Sequence, residues 1–138
     1  MNPLPIATSA SIADQVTRAL ADDHGQLREV TARLALAPDR GALAEALEDL
    51  SHELREHFTH EEHARGFYEV LAERSPGHRP EIARFVEEHR ELLRDLGHLV
   101  WRSQERSAPT RELERAAAEL TARLHDHEAR EMRLLQAA

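Results

Sequence analysis

The apolar positions of this chain recur at spacings of three and four in four successive stretches, the rhythm of one buried face of an α-helix. The first stretch is Val16, Leu20, His24, Leu27, Val30 and Leu34. The second runs Leu43, Leu47, Leu50, Leu54, His57, Glu61, Ala64, Tyr68 and Leu71. The third is Ile82, Phe85, His89, Leu92, Leu96 and Leu99, and the fourth is Leu113, Ala117, Leu120, Leu124, His127, Glu131 and Leu134. Turn-forming residues separate them. Ser11-Ile12-Ala13-Asp14 has the form of a capping box opening the first helix, and residues 37–41 close it. The second helix is predicted to run to about Arg74, where residues 75–80, with Pro76, Gly77 and Pro80, break it. The third runs to about Arg102, and Ser107-Ala108-Pro109-Thr110 precedes a fourth that continues almost to Ala138. Short connections between long helices imply antiparallel neighbours. The pattern predicts an all-α fold, an up-down-up-down antiparallel four-helix bundle over residues 11–138. An extended arm is predicted over residues 1–10, where Pro3 and Pro5 stand.

Composition narrows the function. The chain has 138 residues, enough for one domain, and Ala, Leu, Glu and Arg outweigh the aromatics, which make up only 4%. A net charge of −8 argues against nucleic-acid binding and against anionic membranes. With 0 Cys there are no disulfides, thiolate metal sites or cysteine nucleophiles. No apolar run approaches the ~18 residues of a membrane span. The N-terminus lacks the basic and apolar regions of a signal peptide, so a cytoplasmic protein is expected.

The 10 His residues change the picture. Each of the four stripes carries one His on its apolar face, and two of them add a Glu four residues on, His57/Glu61 and His127/Glu131. Residues four apart differ by only about 40° around a helix, so each pair points the same way. An ionised carboxylate costs several kcal/mol to bury without a partner. Two Glu and four His facing one bundle interior satisfy each other only in part, whereas a pair of divalent cations would satisfy all six. Nitrogen and oxygen donors without sulfur suit iron, manganese or zinc. His52, His60, His63, His78, His98 and His125 fall off the stripes and are expected in solvent, with His60 and His63 placed to support the site helix. Tyr68 is expected in the core with its hydroxyl bonded, and the charged outer faces are expected to be plain solvated surface. There is no zinc-protease His-Glu-x-x-His, no Glu-x-x-His of ferritin-like bundles, no phosphate-binding glycine loop and no nucleophile elbow.

The ordered set Asp23-His24-Gly25, His57-Phe58-Thr59-His60-Glu61, Glu88-His89-Arg90 and His127-Glu128-Ala129-Arg130-Glu131 resembles the hemerythrin-like, or HHE cation-binding, family. The resemblance implies two non-haem iron ions, with zinc or manganese as alternatives. It implies Glu61 and Glu131 as bridging carboxylates and His24, His57, His89 and His127 as terminal ligands. The chain departs from oxygen-carrying hemerythrins in two places. Their third helix supplies two His four apart, where this one has Leu93 after His89 and Phe85 before it. Their fourth helix ends the motif with Asp five residues after the His, where this one has Glu131 at four. One nitrogen ligand fewer leaves a coordination position open. The expected function is binding of dioxygen, or sensing of oxygen or iron. The alternatives are an enzyme acting on peroxide or nitric oxide, or a helical interaction module with a vacant site. The expected partner is a small ligand such as dioxygen, nitric oxide or peroxide.

Overall fold

The computed structural model describes residues 9–63 and 65–137, with side chains from Asp14 onward. The elements are α1 (Ser9–Ala35), α2 (Arg40–Glu62), α3 (Phe67–Arg74), a short 3-10 turn (Pro76–His78), α4 (Arg79–Ser103) and α5 (Thr110–Ala137). No strand occurs among the described residues. The four long helices form the all-α bundle that the stripes predict, with α1 against α2, α2 against α4, α4 against α5 and α5 back against α1. No helix among the described residues is long and apolar enough to cross a membrane.

Local chemistry fixes the helix ends. The Asp39 side chain accepts a hydrogen bond from the Ala42 amide at 2.8 Å, capping α2. Arg40 donates to the carbonyls of Ser103, Glu105 and Ala108, so the start of α2 is tied to the connection between α4 and α5. Pro80 sits in the first turn of α4, where a missing amide hydrogen costs nothing.

Three details differ from the sequence reading. Ser9 and Ala10 are already helical, so Ser11 lies inside α1 and does not cap it; residues 1–8 lie outside the described residues. The predicted second helix is two helices. The chain leaves α2 at His63, passes Arg65 in the left-handed region (φ 67°) and re-enters helix at Phe67. Gly66 makes this turn fit, because a Cβ there would collide with the carbonyl oxygens of His60, Glu61 and His63. The stripe survives because the turn returns Tyr68 and Leu71 to the interior; Ala64 lies outside the described residues. At the end of α5 the buried position is Leu135, with Leu134 half-buried, since a helical period of 3.6 drifts against a strict repeat.

The apolar core has two parts. The larger holds Leu27, Leu47, Leu50, Leu96, Leu113 and Leu124 among others. The smaller holds Leu20, Phe67, Tyr68, Leu71, Phe85 and Leu135. On α1, α4 and α5 the ligand-type residues fall between the two, as His24 does between Leu20 and Leu27 and His89 between Phe85 and Leu92; on α2 they stand at the end of the larger part, with α3 supplying the smaller one beyond. The polar layer is therefore capped by hydrocarbon above and below.

Two glycine substitutions test the turn against a neutral site. Gly66→Ala is expected to destabilise by about 2 kcal/mol, because backbone oxygens must move. Gly97→Ala, inside α4 with nothing within 4 Å of the new Cβ, is expected to stabilise by up to ~1 kcal/mol. Urea denaturation of the two variants checks both signs.

Candidate metal centre

Helical geometry builds the site from two pairs and two single residues. On α2 and on α5 a His and a Glu one turn apart share a face, and α1 and α4 each add one His. All six residues are buried, none more than 5% exposed. His57 Nε2 and His89 Nε2 each stand 3.2 Å from Glu61 Oε1. His24 Nε2 and His127 Nε2 stand 3.6 and 3.4 Å from Glu131 Oε1. One donor atom from each of His24, His57, Glu61 and Glu131 lies within 4.8 Å of the others, and the same holds for Glu61, His89, His127 and Glu131. The structure thus gathers all six residues singled out in the sequence into two four-residue groups that share both carboxylates.

Hydrogen bonds leave this cluster unsatisfied. His24 Nε2, His57 Nε2, both Glu61 oxygens and Glu131 Oε1 are buried without a hydrogen-bond partner. Orphaned buried polar atoms are rare and costly. Here they converge, and their chemistry, imidazole nitrogen with carboxylate oxygen, is a donor set for divalent metal. The residues present fit the cations that the pattern implies.

The protonation states agree. Burial lowers His57 to about 4 and His89 to about 3, which leaves neutral imidazoles, the form that ligates metal. Burial and the facing charge of Glu131 push Glu61 well up. Burial also works to raise Glu131, but its contacts with Glu61, His24, His127 and Tyr68 outweigh that and bring it down to about 2. Two carboxylates face to face in a dry layer repel, and added positive charge between them would relieve both.

A surrounding shell orients the imidazoles. Glu62 contacts His89 Nδ1 at 2.8 Å, and Glu88 contacts His127 Nδ1 at 2.6 Å. Asp23 lies 3.6 Å from His57 Nδ1. Arg130 holds Glu88 through both oxygens, at 2.6 and 2.9 Å. The Tyr68 hydroxyl donates to Glu131 Oε2 at 2.8 Å and lies 2.7 Å from His89 Nε2. Burial and the Glu131 and Glu61 charges raise its pKa, so it remains a phenol. The Phe58 ring stacks flat on His89, centroids 3.6 Å apart. Such second-layer carboxylates fix the imidazole tautomer and ring angle.

This shell is what the sequence reading missed. The sequence assigns no role to Asp23, Glu62, Glu88 or Glu128, and Glu128 is buried. A signal was present: each of these acids directly adjoins a ligand-type residue in the chain. Tyr68 is in the core with its hydroxyl bonded, as expected. His52, His60, His63, His98 and His125 are exposed and His78 is half-exposed, so none joins the cluster. His125 reaches Thr31 at 3.3 Å on α1. Leu93 is half-buried and packs with the larger apolar part.

Comparison with known proteins agrees with this geometry. A family model described as "Hemerythrin HHE cation binding domain" matches residues 15–138. No curated protein and no solved structure matches the chain.

The lowered histidines make the metal-free protein acid-sensitive. His89 is lowered from 6.5 to about 3 by burial, so the unfolded chain binds the extra proton first. Its contribution to stability is whole above pH 6.5 and is lost as pH falls towards about 3. Raised Glu61 acts in the opposite direction, so the His89 share is read by difference. Between pH 7 and pH 5 the stability of His89→Leu is expected to gain about 2 kcal/mol on the parent chain. Chemical denaturation of both proteins, stripped of metal, at the two pH values measures it.

Proposed function

The chain belongs to the hemerythrin HHE cation-binding domain family, and we propose that it is a non-haem di-iron protein that binds dioxygen, or senses oxygen or iron, inside its bundle. The observation that carries this reading is the pair of donor groups sharing Glu61 and Glu131. One iron would take His24 and His57, the other His89 and His127, with both carboxylates common to the two. When bound, ferrous iron supplies the electrons and open coordination that a diatomic ligand needs. The protein's part is to hold four imidazoles, two carboxylates and a water-poor layer in place.

The absence of a second His one turn beyond His89 on α4 supports an open position. Leu93, one turn beyond His89, offers no donor and packs among apolar neighbours. A second reading, an enzyme acting on peroxide or nitric oxide, draws on Tyr68. Its hydroxyl is a buried proton donor within hydrogen-bond reach of Glu131 and His89.

Anaerobic reconstitution with iron, followed by elemental analysis and titration with oxygen, tests the proposal. Two irons per chain and a reversible optical change on oxygenation are expected. Consumption of peroxide or nitric oxide with rapid oxidation of the iron selects the enzyme reading, and no bound metal rejects both. Glu61→Ala or Glu131→Ala is expected to lose at least one iron, since each removes a charge from both halves of the cluster. His98→Ala, exposed and outside it, is expected to keep both and to change stability by less than ~0.5 kcal/mol.

A further inference from the structure

The carboxylates around the cluster follow a rule that runs round the bundle. Asp23, beside His24 on α1, lies 3.6 Å from Nδ1 of His57 on α2, near it but beyond hydrogen-bond length. Glu62, beside Glu61 on α2, serves His89 on α4. Glu88, beside His89 on α4, serves His127 on α5. In each case an acid adjoining a ligand-type residue on one helix approaches the Nδ1 of the His on the next helix round. The acid precedes its neighbour on α1 and α4 and follows it on α2, as helices of opposite direction require if all the acids lie on one handed path.

The step from α5 back to α1 is the one left over. Among the described residues, His24 is the one imidazole of the cluster with no carboxylate at its outer nitrogen. Beside His127, in the position the rule requires, stands Glu128. It is 3% exposed, and both its oxygens are buried without a hydrogen-bond partner. The same handed path carries it from α5 towards α1, the helix of His24. A side chain of such cost in the core has no use in packing.

We propose that Glu128 is the positioning carboxylate of His24, which takes the Nδ1 hydrogen of that imidazole and closes a ring of four outer acids around the metal cluster. This rests on the di-iron reading of the preceding section and adds a residue to it. Glu128 does not touch the metal; it sets the angle and tautomer of the His24 ring so that Nε2 faces inward to Glu131 and the ion beside it.

The test uses the full chain loaded with zinc(II), which is diamagnetic, and the variants Glu128→Gln and Glu88→Gln. Long-range proton–nitrogen correlation spectra report the tautomer and the hydrogen-bonded Nδ1 proton of each ligating imidazole. In the parent chain His24 is expected to show a protected, low-field Nδ1 proton like that of His127. Glu128→Gln is expected to shift or lose that signal for His24 only, and Glu88→Gln for His127 only. Chelator competition is expected to show one of the two zinc ions held 10–100-fold more weakly in Glu128→Gln. The melting temperature of the metal-free variant is expected to rise, because a buried carboxylate without a partner has been neutralised. A residue needed only for packing would lower the melting temperature and leave the His24 signal in place. An unchanged His24 signal with unchanged zinc affinity overturns the role of Glu128 alone. Failure of the parent chain to bind zinc or iron overturns the metal reading and this inference together.

Discussion

Everything in this molecule is arranged around one cost: six ionisable or strongly polar side chains lie in a layer from which water is excluded. Buried carboxylates and imidazoles must be paired, neutralised or bound to cations. The protein pairs some atoms and leaves others bare. Tyr68 donates to one oxygen of Glu131, while the other oxygen and both of those on Glu61 have no donor. The bare atoms of Glu61 and Glu131 and the Nε2 atoms of His24 and His57 converge on one small volume. That convergence distinguishes a site from a polar flaw in a core.

The bundle supplies what such a layer needs. Apolar packing on both sides, Leu27 and Leu96 in one direction and Leu20 and Phe85 in the other, fixes the depth at which the four helices meet. Phe58 forms a flat wall against His89 and touches His57 and His127 as well. Ring contacts between His24 and His57 and between His89 and His127 bring the imidazoles together two by two, with Glu61 and Glu131 reaching both pairs. Arg40, at the far end of α2, ties one helical hairpin to the other and so limits sliding along the axis. Axial sliding would be the most damaging motion, because a shift of one turn, about 5.4 Å, would replace a ligand by a leucine.

The same arrangement sets stability against function. Without cations, Glu61 and Glu128 are held as costly buried carboxyls and His57 and His89 as imidazoles that resist protonation. Each of these opposes folding in some range of pH. Cations bound only by the folded state would return that free energy, coupling occupancy of the site to stability. The break at Arg65 and Gly66 belongs to the same economy of space: it ends α2 just after Glu61 and lets Tyr68 approach the cluster from α3.

The sequence by itself determined which residues would be inside. A helical stripe is a one-dimensional property, so spacing alone placed His24, His57, Glu61, His89, His127 and Glu131 on buried faces, and the cost of burying charge made them a metal set. The family pattern was legible for the same reason, since its residues are defined by order and spacing. Only the tertiary structure decided how the six divide into two groups, because that depends on which helix lies beside which. The turn at Arg65 and Gly66 was hidden because a short left-handed bend can restore the stripe on its far side, leaving no gap in the rhythm. The outer acids were hidden because Asp23, Glu62, Glu88 and Glu128 sit one residue from the stripe, about 100° round the helix, where a charge on a lone helix faces water. Whether it faces water or the imidazole of a neighbour is fixed by the next helix, and no spacing along one helix records that.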